Sequence, residues 1–166
     1  MKKYLIFIGL IVISNLAFTQ NRVFNFDSSI SFIPIHDWVD ASDGEEMIFV
    51  QPLQSTIDIF NDRITLVKYP NEGLSLDEYW AKYVTNDFKY QFDDFFALRS
   101  FESKVNQKQA RGMIFTNKLE GVTLKNKFYF VNHKGYIYTF YLITTERDFS
   151  LTEHLFESMV NSVIIH

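Results

Sequence analysis

The sequence contains no cysteine. That excludes disulfide staples, catalytic thiols, thiol redox chemistry and cysteine-ligated zinc or iron–sulfur centres. It also excludes a lipidated export signal, which needs a cysteine at the new N-terminus, so stability must come from the core alone. Proline and glycine are scarce, at 3 and 6 residues in 166. No Pro-, Gly- or Ser-rich linker, internal repeat or low-complexity tract follows Gln20, and a single domain is expected from residue 20 to residue 166. Positive charge is the third shortage: 16 Lys plus Arg stand against 20 Asp plus Glu, with no basic block. A net anion of this kind lacks the electrostatic footprint of nucleic-acid binding or of docking on an anionic membrane.

The longest apolar run is Tyr4–Ile13, preceded by Lys2 and Lys3 and followed by the more polar Ser14 to Gln20. About ten residues make a helix of about 15 Å, half of what a bilayer core of about 30 Å requires. The order of charged, apolar and polar parts is that of a secretory signal peptide. Small residues at Ala17 and Thr19 place cleavage before Gln20. The expectation is a signal over residues 1–19 and a soluble exported protein, periplasmic or extracellular, not a lipoprotein and without stable membrane insertion.

What the chain does contain is aromatic mass: 18 Phe, 9 Tyr and 2 Trp. From Phe24 to Phe32, Phe24, Phe26, Ile30 and Phe32 alternate with polar residues, the period of a strand with one face in the core. Met47–Val50, Ser55–Phe60 and Ile64–Tyr69 read as further short strands. From Ser75 to Phe92 the period changes, with Leu76, Tyr79, Trp80, Tyr83, Val84 and Phe88 along one helical face. The pair Ser75 and Glu78 has capping-box spacing, and the same signature at Ser150 and Glu153 opens a second helix with the stripe Leu151, Leu155, Phe156, Met159, Val160 and Val163. Between the helices, Phe95–Lys104, Gln109–Lys118, Thr123–Val131 and Tyr136–Thr145 form an antiparallel meander, with turns at Asn106 and Gln107, Glu120 and Gly121, and Asn132 to Gly135. Both faces of the last strand are apolar, so it is central and covered on both sides. The fold class is α+β, a mainly antiparallel sheet covered by α-helices.

Several local features converge: the segment Phe24 to Trp38 with Pro34, the helix opening Leu74-Ser75-Leu76-Asp77-Glu78-Tyr79-Trp80, the aromatic hairpin Lys127 to Thr145, and the closing stretch Phe156 to Val163. This order resembles the PsbP-like group of the Mog1/PsbP superfamily, its bacterial exported members in particular, over nearly all of the chain after Gln20. The resemblance implies a helix-covered antiparallel sheet and a role as an accessory or binding subunit rather than as an enzyme. Members of that superfamily serve the oxygen-evolving photosystem or bind the Ran GTPase. Neither role carries over: an export signal is at odds with a nuclear partner, and no photosystem-contacting or metal-binding residue of the plant proteins finds a match here. A shared fold is in any case weak ground for function.

Candidate chemistry is sparse. The acidic stretch Asp37, Asp40, Asp43, Glu45 and Glu46 could offer oxygen ligands to calcium, but its spacing fails the calcium-loop template and a solvated acidic loop is expected. His154 with Glu157 and Glu153 reads as the polar face of the second helix, since a metal site needs three or more converging ligands. Asp93 and Asp94 are adjacent on an extended connection, where side chains point to opposite faces. His36 and His133 read as surface residues, and His166, last in the sequence, as loosely held. No nucleophile elbow, dinucleotide turn, phosphate loop or zincin helix occurs. No cofactor and no catalytic or metal residue is expected. The aromatic surplus beyond the helical stripe, Tyr90, Phe92, Phe95 and Phe96, is the candidate surface for an unidentified protein partner. The alternative is a small-ligand-binding protein or weak hydrolase with a pocket between sheet and helix, drawing on Asp93, Asp94 or His133.

Overall fold

Among the described residues, ten strands and two helical segments follow one another in the order β1 (Val23–Asn25), β2 (Ile30–Phe32), β3 (Val39–Asp40), β4 (Met47–Val50), β5 (Arg63–Pro70), a first helical segment, β6 (Phe96–Val105), β7 (Lys108–Leu119), β8 (Val122–His133), β9 (Tyr136–Thr145), a second helix and β10 (Ile164–Ile165). The first helical segment begins as α1 (Leu76–Tyr79), widens into π-helical turns over Trp80–Asp87 and closes as a 3-10 turn over Phe88–Tyr90. The second helix is α2 (Phe149–Ser162). The computed structural model describes residues 22–25, 28–53 and 60–166. The signal read over residues 1–19 lies outside the described residues, as does the strand read at Ser55–Phe60 except for its last residue.

Seven strands form one antiparallel sheet in the order β3-β4-β5-β9-β8-β7-β6, and β1-β2-β10 form a small second sheet. The long strands β6 to β9 are joined by two-residue turns whose central residues have positive φ: Asn106 and Gln107, Glu120 and Gly121, Lys134 and Gly135. That backbone matches the twist of the flanking strands and fixes their register. β9 lies at the centre of the seven, as its two apolar faces require. Residues alternate between the faces, so Tyr129 and Val131 of β8 join the core around Phe156 of α2, while Phe128 and Phe130 join the core around Trp80. The small sheet packs with α2 through Ile30, Phe32 and Ile165. Gly112, in the middle of β7, has the Phe101 ring resting where a Cβ would stand, at 2.5 Å from the ideal Cβ position. Any larger residue would have to push that ring away.

Four local expectations are corrected. The stretch read as one strand from Phe24 to Phe32 is a hairpin, with Phe24 paired to Ser31 and Ser28 at φ 62°. Alternation cannot tell a long strand from two short ones folded on each other. The first helix carries the expected capping box, in which the Ser75 hydroxyl accepts from the Glu78 N–H at 3.3 Å and the Glu78 carboxylate from the Ser75 N–H at 2.8 Å. It leaves α geometry after one turn, however, and ends at Tyr90 rather than Phe92. The second helix begins at Phe149, ahead of the capping box read at Ser150. Glu153 is drawn instead to Lys127 Nζ at 2.6 Å, and Leu151 is 69% exposed while Phe149 and Thr152 take the buried positions. His166 is tied down, its N–H donating to the Ser29 carbonyl at 2.9 Å.

Candidate functional site

The two faces of the large sheet are not equally covered. The first helical segment lies over β7 and β8, where Trp80 packs on Phe128 and Phe130, and Phe88 packs on Phe115 and Phe128. The wide turns carry Trp80, Val84 and Phe88 toward the sheet at intervals of four, and the Phe88 N–H donates to the carbonyl of Tyr83, five residues back. π-helical turns are uncommon and recur at functional sites. Toward β5 and β9 no helix among the described residues covers the same face, and a groove opens there in two lobes. One lobe of about 540 Å³ reaches Phe60, Asn117, Leu124 and Asn126. The other, of about 420 Å³, reaches Tyr69, Tyr79, Tyr83 and Thr139. Arg63, Gln91, Phe92, Tyr141 and Ile143 line both, so the lobes adjoin. Each lobe alone falls within the range of about 300–1,000 Å³ typical of small-molecule sites.

Strand register sets the floor of this groove. Arg63 is paired with Ile143, and Ile143 with Asn126, so the three form one rung across the sheet, with about 10 Å between the outer two at normal strand spacing. Asn126 is fully buried; its amide donates to the Asn117 Oδ1 at 2.6 Å, and its own Oδ1 accepts from the Tyr141 hydroxyl at 3.3 Å. Buried amides carry such partners because leaving them unmade costs more than the bonds return. Burial pushes the Tyr141 phenol far above its ordinary range, and does the same to a lesser degree for Tyr69 and Tyr79. Tyr141, Tyr69 and Tyr79 therefore keep their hydroxyl protons and can donate hydrogen bonds. Arg63 anchors its Nε on the Thr65 hydroxyl at 3.0 Å, and its Nη2 lies 3.5 Å from the Glu46 carboxylate.

The four residues singled out from the aromatic surplus are dispersed. Phe92 reaches the groove and packs against Phe88, Phe115 and Tyr141. Phe95 rests on Phe115. Tyr90 and Phe96 are 79% and 64% exposed. Phe96 is paired with Thr116, whose neighbours two apart on β7, Ile114 and Gly112, face α2, so its ring lies on the opposite side of the sheet from Phe92. The polar trio of the alternative reading does not converge. Asp93 lines the groove, Asp94 is paired with Lys118 at 2.8 Å, and His133 lies seven residues along β8 from Asn126, about 23 Å at normal strand rise.

The acidic stretch is a hydrogen-bonded loop. Asp43 accepts from the N–H groups of Glu45 and Glu46 at 3.0 and 2.9 Å, which holds its carboxyl below the usual range. Glu153 and Glu157 flank the buried ammonium of Lys127 at 2.6 and 2.7 Å, while His154 is exposed. Among the described residues no group of three or more His, Asp or Glu side chains has metal-holding geometry. Sequence reasoning passed over Arg63, Asn117 and Asn126. The signal available was Asn126 itself, a polar residue at a core-facing position in line with Leu124, Phe128 and Phe130.

No family model matches the chain, and no curated protein matches it in sequence. Solved structures do match in shape. A Pseudomonas aeruginosa protein of unknown function superposes with a TM-score of 0.65 at 16% identity, over 88% of this chain and 96% of that one. The cyanobacterial PsbP of Synechocystis gives 0.63 at 13% identity, over 88% and 92%. The Ran-binding protein Mog1p of Saccharomyces cerevisiae gives 0.62 at 12% identity, over 87% and 94%. The architecture is an α+β sandwich of helices on an antiparallel sheet. Within that class it is a Mog1/PsbP-like fold, in agreement with the resemblance drawn from the residues.

Proposed function

We propose that this chain is an exported, non-catalytic binding protein whose recognition site is the groove between the first helical segment and the sheet. The observation that carries this reading is the pair of adjoining lobes over a part of the sheet that no helix covers among the described residues, lined by aromatic, amide and guanidinium groups. Such a lining holds and orients a ligand by stacking and hydrogen bonding. Secretion, with removal of residues 1–19, delivers the domain to the periplasm or the cell exterior as a protein without a lipid anchor. Among the described residues no helix is long and apolar enough to cross a membrane. Mog1p is named for binding another protein, and partner contact is the second reading here. It is favoured by the exposed rings of Tyr90 and Phe96, with Phe92 and Phe95 holding the segment between them against Phe115.

The test is native purification of a C-terminally tagged full chain, with mass spectrometry of co-purifying small molecules and of cross-linked proteins. Intact mass also reports whether residues 1–19 have been removed. Ile143→Trp, which sets a larger ring against both lobes, is expected to lose the small-molecule species while Tm is unchanged. Tyr90→Ala with Phe96→Ala is expected to lose a cross-linked partner and keep the small molecule. A captured set unchanged by Ile143→Trp in a folded protein removes the groove as the recognition site.

A further inference from the structure

The groove has one cation set at the junction of its lobes, and the chemistry of that cation narrows the ligand. Arg63 lines both lobes from the start of β5. Its guanidinium has five N–H donors in a planar fork suited to bidentate contact with a carboxylate. One donor is fixed on the Thr65 hydroxyl at 3.0 Å, which orients the fork. The neighbouring carboxylate of Glu46 stands 3.5 Å from Nη2, longer than the roughly 2.7–2.9 Å of a formed charge-assisted bond. The fork is thus positioned but poorly satisfied. Lys118, the other cation at the groove, is engaged by Asp94 at 2.8 Å.

Around Arg63 apolar and aromatic side chains alternate with the polar Gln91, Asn61 and Thr65, and Asp93 lies farther along the first lobe. Ile143 and Tyr141 adjoin it on the sheet, Phe92 faces them from the helical side, and Val67 continues the wall in the second lobe. We infer that the groove takes an amphipathic monocarboxylate, its acid group on the Arg63 fork in place of the distant Glu46 and its apolar body along Ile143, Tyr141 and Phe92. This rests on the groove being the recognition site. It adds the class of ligand and assigns Arg63 as the residue that selects for it. A binding acid competes with Glu46 for the same donors, so Glu46 tunes the affinity.

Isothermal titration calorimetry of the full chain tests this with decanoate and with decanol as its uncharged counterpart. Decanoate is expected to bind at least tenfold more tightly than decanol. Arg63→Gln abolishes that preference, bringing the two affinities within about twofold of each other. Glu46→Gln, which removes the competing carboxylate without touching the fork, tightens decanoate several-fold and serves as the test if Arg63→Gln does not fold. Equal affinity for the two probes, a preference that survives Arg63→Gln, decanoate affinity unmoved by Glu46→Gln, or no decanoate binding at all would each overturn the carboxylate assignment. Those outcomes are separate from failure of the wider reading, which is decided by the Ile143→Trp capture experiment.

Discussion

One face of the large sheet is closed and the other is half open, and the residues that build them differ accordingly. On the α2 side the helix and the small sheet together cover the strands, and Phe156, Met159, Ile30 and Phe32 are at most 2% exposed. On the opposite side a single helical segment among the described residues, distorted into wide turns, covers two strands through edge-to-face rings and leaves the next two facing a groove. The closed face buries a cation between two carboxylates. The open face holds an arginine whose carboxylate stands at the edge of bonding distance. Packing is thus concentrated on one side, which leaves the other free to bind.

Cutting into the closed face should do the most damage. Phe156→Ala removes a ring with no exposed surface and should cost about 3–5 kcal/mol in urea unfolding, with no slack in that layer to refill the cavity. Next comes a matched pair of charge removals. Lys127→Met leaves Glu153 and Glu157 without their buried partner and should cost about 2 kcal/mol, lessened from the full buried-pair penalty because both carboxylates are partly exposed. On the open face, Arg111→Met removes the partner of an Asp77 that is 83% exposed and should change stability by less than about 0.5 kcal/mol. Similar losses for the two would dissolve the contrast between the faces.

Ser75→Ala removes the hydroxyl half of the capping box and should cost about 1 kcal/mol. Its more telling readout is hydrogen exchange, which should rise along the first helical segment and not along α2. A final, finer difference is in pH. Asp62 accepts from Thr144 at 2.7 Å and from Thr152 at 2.5 Å, tying the start of β5 to the end of β9 and the start of α2. Desolvation by burial raises its pKa above 3.8 despite those two bonds. The native state therefore holds this proton more tightly than the unfolded chain. Its contribution to stability is greatest below the unfolded value and declines as pH rises through the folded one. Asp62→Asn should remove that pH-dependent component, seen as a stability difference between wild type and variant that shifts against the wild type as pH rises across the acid side. A constant difference from pH 3 to 7 would contradict the assignment.

Much of the frame was legible because it is local. Two-residue turns at positive φ, written in Asn106, Glu120-Gly121 and Lys134-Gly135, set the meander, and the apolar character of both faces of Tyr136–Thr145 placed that strand at the centre. The capping pair Ser75 and Glu78 marked the first helix. Errors arose where a local signal had a competitor elsewhere in the fold. Glu153 has the spacing of a cap but meets Lys127, 26 residues away in sequence, and charge pairing wins. The alternation from Phe24 to Phe32 fits one strand or two, and the antiparallel pairing of β1 with β2 selects two. The aromatic surplus near Tyr90 could be seen as a cluster in sequence, yet its members separate to two sides of a sheet once β6 has a register.

Composition and periodicity were therefore enough to specify an α+β sandwich with a cysteine-free aromatic core and a central β9, since those properties depend on each segment's own pattern. The groove was decided elsewhere. Arg63, Ile143 and Asn126 come from three strands and share a rung only through the pairing of β5, β9 and β8. Whether that rung is covered depends on where a distorted helix happens to lie across it. A site made of residues between 17 and 80 positions apart exists only when the chain has closed on itself, which is why no window of the sequence announced it.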